Sequence, residues 1–306
     1  MVFMGTPDFA VPSLKKLYDA GYDIAAVVTQ TDKERGRGKK VSFSPVKECA
    51  IELGIPVLQP KTLKDEEIQG EIKRLKPDVI IVIAYGKILP KALLDAAPYG
   101  CLNVHGSLLP AYRGAAPIQH AIYDGVRESG VTIMMLDEGM DTGNILKEAV
   151  LPLDEKETTG SLFEKLSLLG AETLLPVLAD LEAYEANSQV QDEGAASYTQ
   201  KITKEMAAID WNGDAAQIER LIRTLDPQPG AYTLLDGKRL KIWSADVVEG
   251  KAVKAGTIIE VTKKYFTVQT GQGALKIREV QPESRKRITA AQFLQGISLQ
   301  AGMELL

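Results

Sequence analysis

Short apolar runs alternate with stretches of helical spacing through the first two thirds of the chain. Val2–Met4 is apolar and ends at Gly5. After Thr6-Pro7-Asp8, residues Phe9, Val11, Leu14 and Leu17 recur at the spacing of one helix face, and Gly21 closes the helix. Ile24–Thr29 is the next predicted strand, Pro45 opens a helix that ends over Ala50–Leu53, and Ile55–Leu58 is strand-like. Val79–Ala84, preceded by Asp78, is an unbroken apolar run of the kind shown by a parallel strand buried on both faces. A strand over Leu102–Val104, a helix over Ala116–Tyr123 and a strand over Val131–Leu136 continue the series. Strands separated by helices in this way predict an α/β, doubly wound parallel sheet. In such sheets the ligand sits beyond the carboxyl ends of the strands.

The pattern changes in the last third. Ser161–Leu181 reads as a long helix with Leu162, Phe163, Leu166, Leu169, Leu174 and Leu178 at core spacing, and Pro176 predicts an interruption. Residues 185–203 are polar and aperiodic, which predicts a linker between a domain over 1–184 and a second over 204–306. The second opens with a helix near Asp214–Leu225. Five short β-like runs follow: Ala231–Leu235, Leu240–Ala245, Gly256–Val261, Tyr265–Thr270 and Leu275–Val280. Short strands with glycine turns fit a small OB-like β-barrel, a common nucleic-acid platform.

Charge divides at the same place. Residues 1–200 carry 29 acidic and 20 basic side chains, a net of −9, whereas residues 201–306 carry 12 and 16, a net of +4. A basic half on an acidic one fits a separate domain facing a polyanion. In a chain of 306 residues, 45% hydrophobic and 25% charged residues exclude a disordered tail, a collagen-like fibre or a disulfide mini-protein. No run approaches the ~18 apolar residues of a transmembrane helix, and no signal-peptide pattern is visible. A strand beginning at the first residue implies a short leader upstream. Cys49 and Cys101 stand far apart in no CxxC pattern, as reduced thiols of a cytoplasmic protein do.

Several chemistries are missing their motifs. Gly38-Lys39 lacks the first glycine and the hydroxyl residue of a phosphate loop, and no GxGxxG follows the first strand, which argues against a nicotinamide cofactor. Two histidines, His105 and His120, and two scattered cysteines leave no metal-ligand spacing. No GxSxG elbow is present. What remains is Asn103-Val104-His105-Gly106-Ser107-Leu108-Leu109-Pro110. Asn103 and His105 alternate on one strand and so point to one side. An amide and an imidazole aimed at one substrate oxygen stabilise charge developing on a carbonyl. Asp141, in Asp137-Glu138-Gly139-Met140-Asp141-Thr142-Gly143 after the next apolar strand, could orient that histidine. The bland alternative is a core histidine and a turn-forming aspartate.

With Gly5-Thr6-Pro7-Asp8-Phe9-Ala10, Gly36-Arg37-Gly38-Lys39-Lys40, Arg113-Gly114-Ala115-Ala116-Pro117-Ile118-Gln119 and Asp141-Thr142-Gly143, the chain closely resembles the methionyl-tRNA formyltransferases, from end to end and including Ile209-Asp210-Trp211. The Asn-x-His and Asp set alone marks only a folate-dependent formyltransferase, and enzymes acting on sugar nucleotides or other small amines share it. The basic loop and the basic C-terminal domain select the tRNA enzyme. The resemblance implies a Rossmann-like formyltransferase fold and transfer of the formyl group of 10-formyltetrahydrofolate, a co-substrate, to methionine on initiator methionyl-tRNA, without a metal and as a monomer. It assigns catalysis to Asn103, His105 and Asp141, and the folate lining to Ser107, Leu108, Leu109 and Pro110. It assigns tRNA contact to Arg37, Lys39 and Lys40, with Lys238-Arg239-Lys241, Lys263-Lys264 and Arg285-Lys286-Arg287 on the tRNA backbone. The chain departs from the family at Gln228, where tryptophan is usual between the prolines, and at Gln30-Thr31-Asp32-Lys33-Glu34, where the family has Pro-Asp-Arg-Pro.

Overall fold

In the computed structural model, which describes residues 1–35 and 40–306, the apolar runs become a seven-stranded sheet. Its strands are β1 (Val2–Gly5), β2 (Ala26–Val28), β3 (Val57–Leu58), β4 (Ile80–Ile83), β5 (Cys101–His105), β6 (Glu128–Met135) and β7 (Ile145–Pro152). The order across the sheet is β7-β6-β5-β4-β1-β2-β3. The pairs among β5, β4, β1, β2 and β3 are parallel, as predicted. The other edge departs from the doubly wound expectation, because β6 runs antiparallel to β5 and β7 antiparallel to β6.

Every residue of β4 is buried, which accounts for its lack of alternation. On one face, Val2, Met4, Ile80, Val82 and Cys101 pack with Ile72 and Leu93 of α3 (Glu66–Arg74) and α4 (Lys91–Leu94). The opposite face is covered in part by α6 (Thr159–Ala179), whose Gly170 lies so close to Val104 of β5 that a Cβ there would sit 2.7 Å from Cγ1. Phe163 of α6 meets Phe9 edge-on at 5.2 Å, next to α1 (Val11–Asp19); α2 (Pro45–Glu52) and α5 (Pro117–Asp124) complete the described helices in chain order up to α6. Pro176 lies inside α6 and does not end it. Proline removes one N–H, and only Val177–Ala179 follow before the helix stops, so the missing hydrogen bond falls in its last turn.

The chain forms two compact units, 1–117 with 128–152 and 163–199, and 118–127 with 153–162 and 200–306. The stretch 185–203 expected as a linker therefore belongs, as far as Thr199, to the first unit. Gln189 pairs with Ile145 of β7 through both backbone hydrogen bonds (2.8 and 2.9 Å), and Tyr198–Thr199 pairs in parallel with Arg113–Gly114. We refer to Gln189–Thr199 as the strap.

The second unit contains β8 (Tyr232–Leu235), β9 (Lys238–Val248), β10 (Ile258–Val261), β11 (Phe266–Gln269) and β12 (Ala274–Pro282), antiparallel in the order β8-β9-β12-β11-β10. Ile242, Phe266, Val268, Leu275 and Ile277 fill its core with Trp211 and Ile218. The two edges are bridged by the end of the chain. Leu306 exchanges hydrogen bonds with Leu234 of β8, while Ile258 of β10 donates to Met303 and Leu305 donates to Gly256. This curled sheet is the expected OB-like barrel. Segments 118–127 and 153–162 join it through the helix Ala215–Thr224: Arg220 donates to the Tyr123 carbonyl (2.9 Å), Arg223 to the Glu157 carbonyl (2.7 Å) and Thr159 to the Thr224 carbonyl (2.8 Å). Gln228 is exposed in this unit.

Candidate active site

Asn103 and His105 occupy alternate positions at the carboxyl end of β5, both buried, and share one side of the strand. The Asn103 amide makes no hydrogen bond among the described residues, so its N–H groups remain available as donors. The imidazole is held at its far edge: Nε2 lies 3.1 Å from the Tyr112 carbonyl oxygen, which can only accept. That bond places the proton on Nε2 and turns Nδ1 toward Asp141, whose Oδ2 is 3.7 Å away. The carboxylate is thus near the ring without hydrogen-bonding to it. The orienting group is a backbone carbonyl seven residues on, a partner that side-chain reasoning from sequence does not reach.

Asp141 is fixed by other contacts. Its Oδ2 accepts the Gly114 N–H at 2.8 Å, and its backbone adopts φ 56°, in the left-handed region that aspartate tolerates better than most residues. Gly114, at φ 106°, is confined by the strap, since a Cβ there would lie 2.9 Å from the Thr199 carbonyl oxygen. Residues 112–114 therefore touch both partners: Tyr112 holds the histidine and Gly114 the aspartate.

Between them Arg113 is fully buried, and all five of its N–H groups are used. Nε and Nη2 donate to Gln191 Oε1 (3.0 and 2.8 Å), Nη1 and Nη2 to the two Glu193 oxygens (3.0 and 2.8 Å), and Nη1 also to the Tyr198 hydroxyl (2.9 Å). The guanidinium holds the Glu193 carboxyl below the usual carboxylate range. Residue pattern gives neither Arg113 nor Gln191 a role. Arg113 is one letter of a resembling motif, and Gln191 lies in a stretch with no hydrophobic period to mark it as packed.

The turn after His105 is tied to β6. Thr132 donates to the Ser107 carbonyl (2.7 Å) and accepts from the Leu109 N–H (3.1 Å), and the Ser107 hydroxyl is spent on the Ala111 carbonyl (2.7 Å). Ser107 and Leu109 are buried, Leu109 against Met134 and Ile145, while Leu108 and Pro110 are half-buried. Arg37 and Lys39 lie outside the described residues. Lys40 begins a short strand, Lys40–Ser42, that pairs with Lys33–Arg35. In the second unit Lys238, Lys263, Lys264, Arg285 and Lys286 are exposed and form no ion pair with a described carboxylate, whereas Arg287 is paired with Asp226 and Glu279. Arg239 lies over the Tyr232 ring (4.3 Å) and Lys276 over Tyr265 (4.6 Å). Among the described residues no group of three or more His, Cys, Asp or Glu side chains could hold a metal, no helix is long and apolar enough to cross a membrane, and both cysteines are free and buried.

Residues 1–178 match the formyl transferase family and residues 201–298 the C-terminal domain of formyl transferases. The methionyl-tRNA formyltransferase of Lachnospira eligens is 50% identical over 311 residues, covering 100% of this chain and 99% of that one. That of Caldanaerobacter subterraneus subsp. tengcongensis is 48% identical, with 99% and 98% covered. The chain belongs to the methionyl-tRNA formyltransferase family. Solved structures agree in fold. HypX from Aquifex aeolicus in complex with tetrahydrofolic acid superposes with a TM-score of 0.65 at 18% identity, over 96% of this chain and 46% of HypX, so the chain spans about half of HypX's length. WlaRD, a sugar 3N-formyl transferase crystallised with dTDP and 5-N-formyl-THF, gives 0.66 at 20% identity over 93% and 98%. In this methionyl-tRNA formyltransferase family member, Asn103 and His105 stand at the carboxyl end of β5, where α/β sheets hold ligands, and Asp141 reaches His105 from the loop that follows the antiparallel β6.

Proposed function

We propose that the chain transfers the formyl group of 10-formyltetrahydrofolate to the α-amino group of methionine on initiator tRNA, as a cytoplasmic monomer. The first unit carries the chemistry and the second the tRNA backbone. The observation that supports this best is an unspent amide, Asn103, beside an imidazole whose one free edge faces a carboxylate. The amine attacks the formyl carbon. As the new C–N bond forms, charge gathers on the formyl oxygen, and the Asn103 N–H donates to it. The amine's proton passes to the Nδ1 edge of His105, where Asp141 offsets the imidazolium charge. The C–N10 bond then breaks, and the proton moves to the folate nitrogen that leaves. Ser107 to Pro110 form the folate-side wall, with Leu108 and Pro110 offering apolar surface to the pterin. Arg37, Lys39 and Lys40 reach the tRNA acceptor end, and the unpaired cations of the second unit bind further phosphates.

The test is formyl transfer to methionyl initiator tRNA, with methionyl elongator tRNA, free methionine and an amino sugar nucleotide as competing acceptors. Formylation confined to the initiator is expected, and His105→Ala should lower kcat by about 10²–10³ while the fold persists. Folate turnover with formyl delivered only to a small amine would replace this reading with the sugar-type one.

A further inference from the structure

The polar stretch that ends the first unit reaches the catalytic loop from behind through one side chain. Gln191 is buried, and its amide has no spare valence. Nε2 donates to the Asp141 carbonyl at 2.8 Å and to the Gly143 carbonyl at 2.7 Å, and Oε1 accepts two N–H groups of Arg113. This arrangement admits one orientation only, because exchanging the amide's oxygen and nitrogen would set an oxygen against two carbonyls and an NH2 against a guanidinium. The Arg113 guanidinium that fixes Gln191 belongs to the segment whose Tyr112 carbonyl holds His105 and whose Gly114 N–H holds Asp141. Gln191 therefore closes a ring of interactions: Asp141 backbone, Gln191, Arg113, Gly114 N–H, Asp141 carboxylate.

We infer that Gln191 is a positioning residue of the formyl-transfer site, holding the Asp141 backbone so that its carboxylate stays at its place opposite His105 Nδ1. With its carbonyl released, the left-handed Asp141 would keep its carboxylate in place by the Gly114 N–H alone, and displacements of the order of 1 Å cost catalytic rate. The chemistry of the amide suits the task. Only a side chain with two donors and an acceptor at the same tip can bind two loop carbonyls and a buried guanidinium together, which glutamate, leucine and lysine cannot do.

This rests on the reading of Asp141 and His105 given above, and a double-mutant cycle separates the two. Gln191→Glu keeps an acceptor for Arg113 and nearly the same volume while losing both donors; Gln191→Ala is the second variant should the first fail to fold. Each is measured alone and with Asp141→Ala in the full-length protein, with KM for 10-formyltetrahydrofolate and methionyl-tRNA and the melting temperature recorded. We expect kcat to fall about 10–100-fold, the range found when a group supporting an active-site ligand is removed. Both KM values should stay within about two-fold, and in the Asp141→Ala background Gln191→Glu should change kcat no further, as groups acting through one another are non-additive. An undiminished kcat, a loss that multiplies onto that of Asp141→Ala, or a loss that follows the melting temperature would overturn the assignment. If Asp141→Ala itself left kcat unchanged, the reading of the catalytic pair would fall, and this inference with it.

Discussion

Two buried polar side chains of the first unit show opposite ways of managing desolvation. Arg113 meets it with five hydrogen bonds. Tyr85, two residues past the end of β4, is buried in the apolar layer with Ile72, Leu89 and Leu93, and its hydroxyl has no partner among the described residues. Burial alone pushes its ionisation up to about 12. Removing an unpaired buried hydroxyl relieves a penalty of about 1–3 kcal/mol, so Tyr85→Phe is expected to match or exceed the parent in urea unfolding at neutral pH. The two should also diverge in alkali. The unfolded tyrosine ionises near its ordinary value of ~10 while the folded one keeps its proton to about 12, so the parent loses stability across that interval and the phenylalanine variant lacks that component. Equal slopes of unfolding free energy against pH would contradict the buried-hydroxyl account.

At the scale of elements, what the residue pattern showed and what it hid divide on burial. Val79–Ala84 and Val131–Leu136 read as strands because both of their faces are covered, but a run apolar throughout carries no sign of direction, and β6 proved antiparallel. β7 escaped because it is an edge strand whose burial alternates from Lys147 to Pro152 while its residue types do not, with Lys147 half-buried and Val150 exposed. α3 escaped because Ile72 is its one buried residue. At the site, Asn103 and His105 were legible from period two and Asp141 from its place after an apolar strand. The backbone carbonyl of Tyr112 and the strap were not, since neither leaves a side-chain pattern. One joint between elements makes a test. A Cβ at Gly130 in β6 would stand 2.2 Å from the Ala149 carbonyl oxygen of β7 and 2.5 Å from Leu108 Cδ2. Gly130→Ala is expected to cost about 1–3 kcal/mol by overpacking and, by shifting Leu108, to raise KM for the formyl donor more than KM for tRNA. A change confined to tRNA would argue against Leu108 as part of the folate wall.

For the molecule as a whole, net charge is a poor guide to its partner. The chain totals −5, yet Lys238, Lys263, Lys264, Arg285 and Lys286 of the second unit are exposed and pair with no described carboxylate. tRNA affinity should therefore fall steeply with salt. Replacing Lys263 and Lys264 by glutamine should reduce the slope of log K against log salt by about 0.7–0.9 for each phosphate these lysines neutralise, with kcat at saturating tRNA unchanged. A slope identical to the parent's would remove these lysines from the interface. The strap bears on how such a molecule can be taken apart. Cutting after residue 184, where the polarity of the chain invites a boundary, would discard Gln191, Glu193 and Tyr198 and strand a buried guanidinium with no acceptor from the strap. Cutting after Thr199 would keep that guanidinium paired. An excised catalytic fragment is thus defined by where its arginine is neutralised, fifteen residues beyond where its hydrophobic pattern ends.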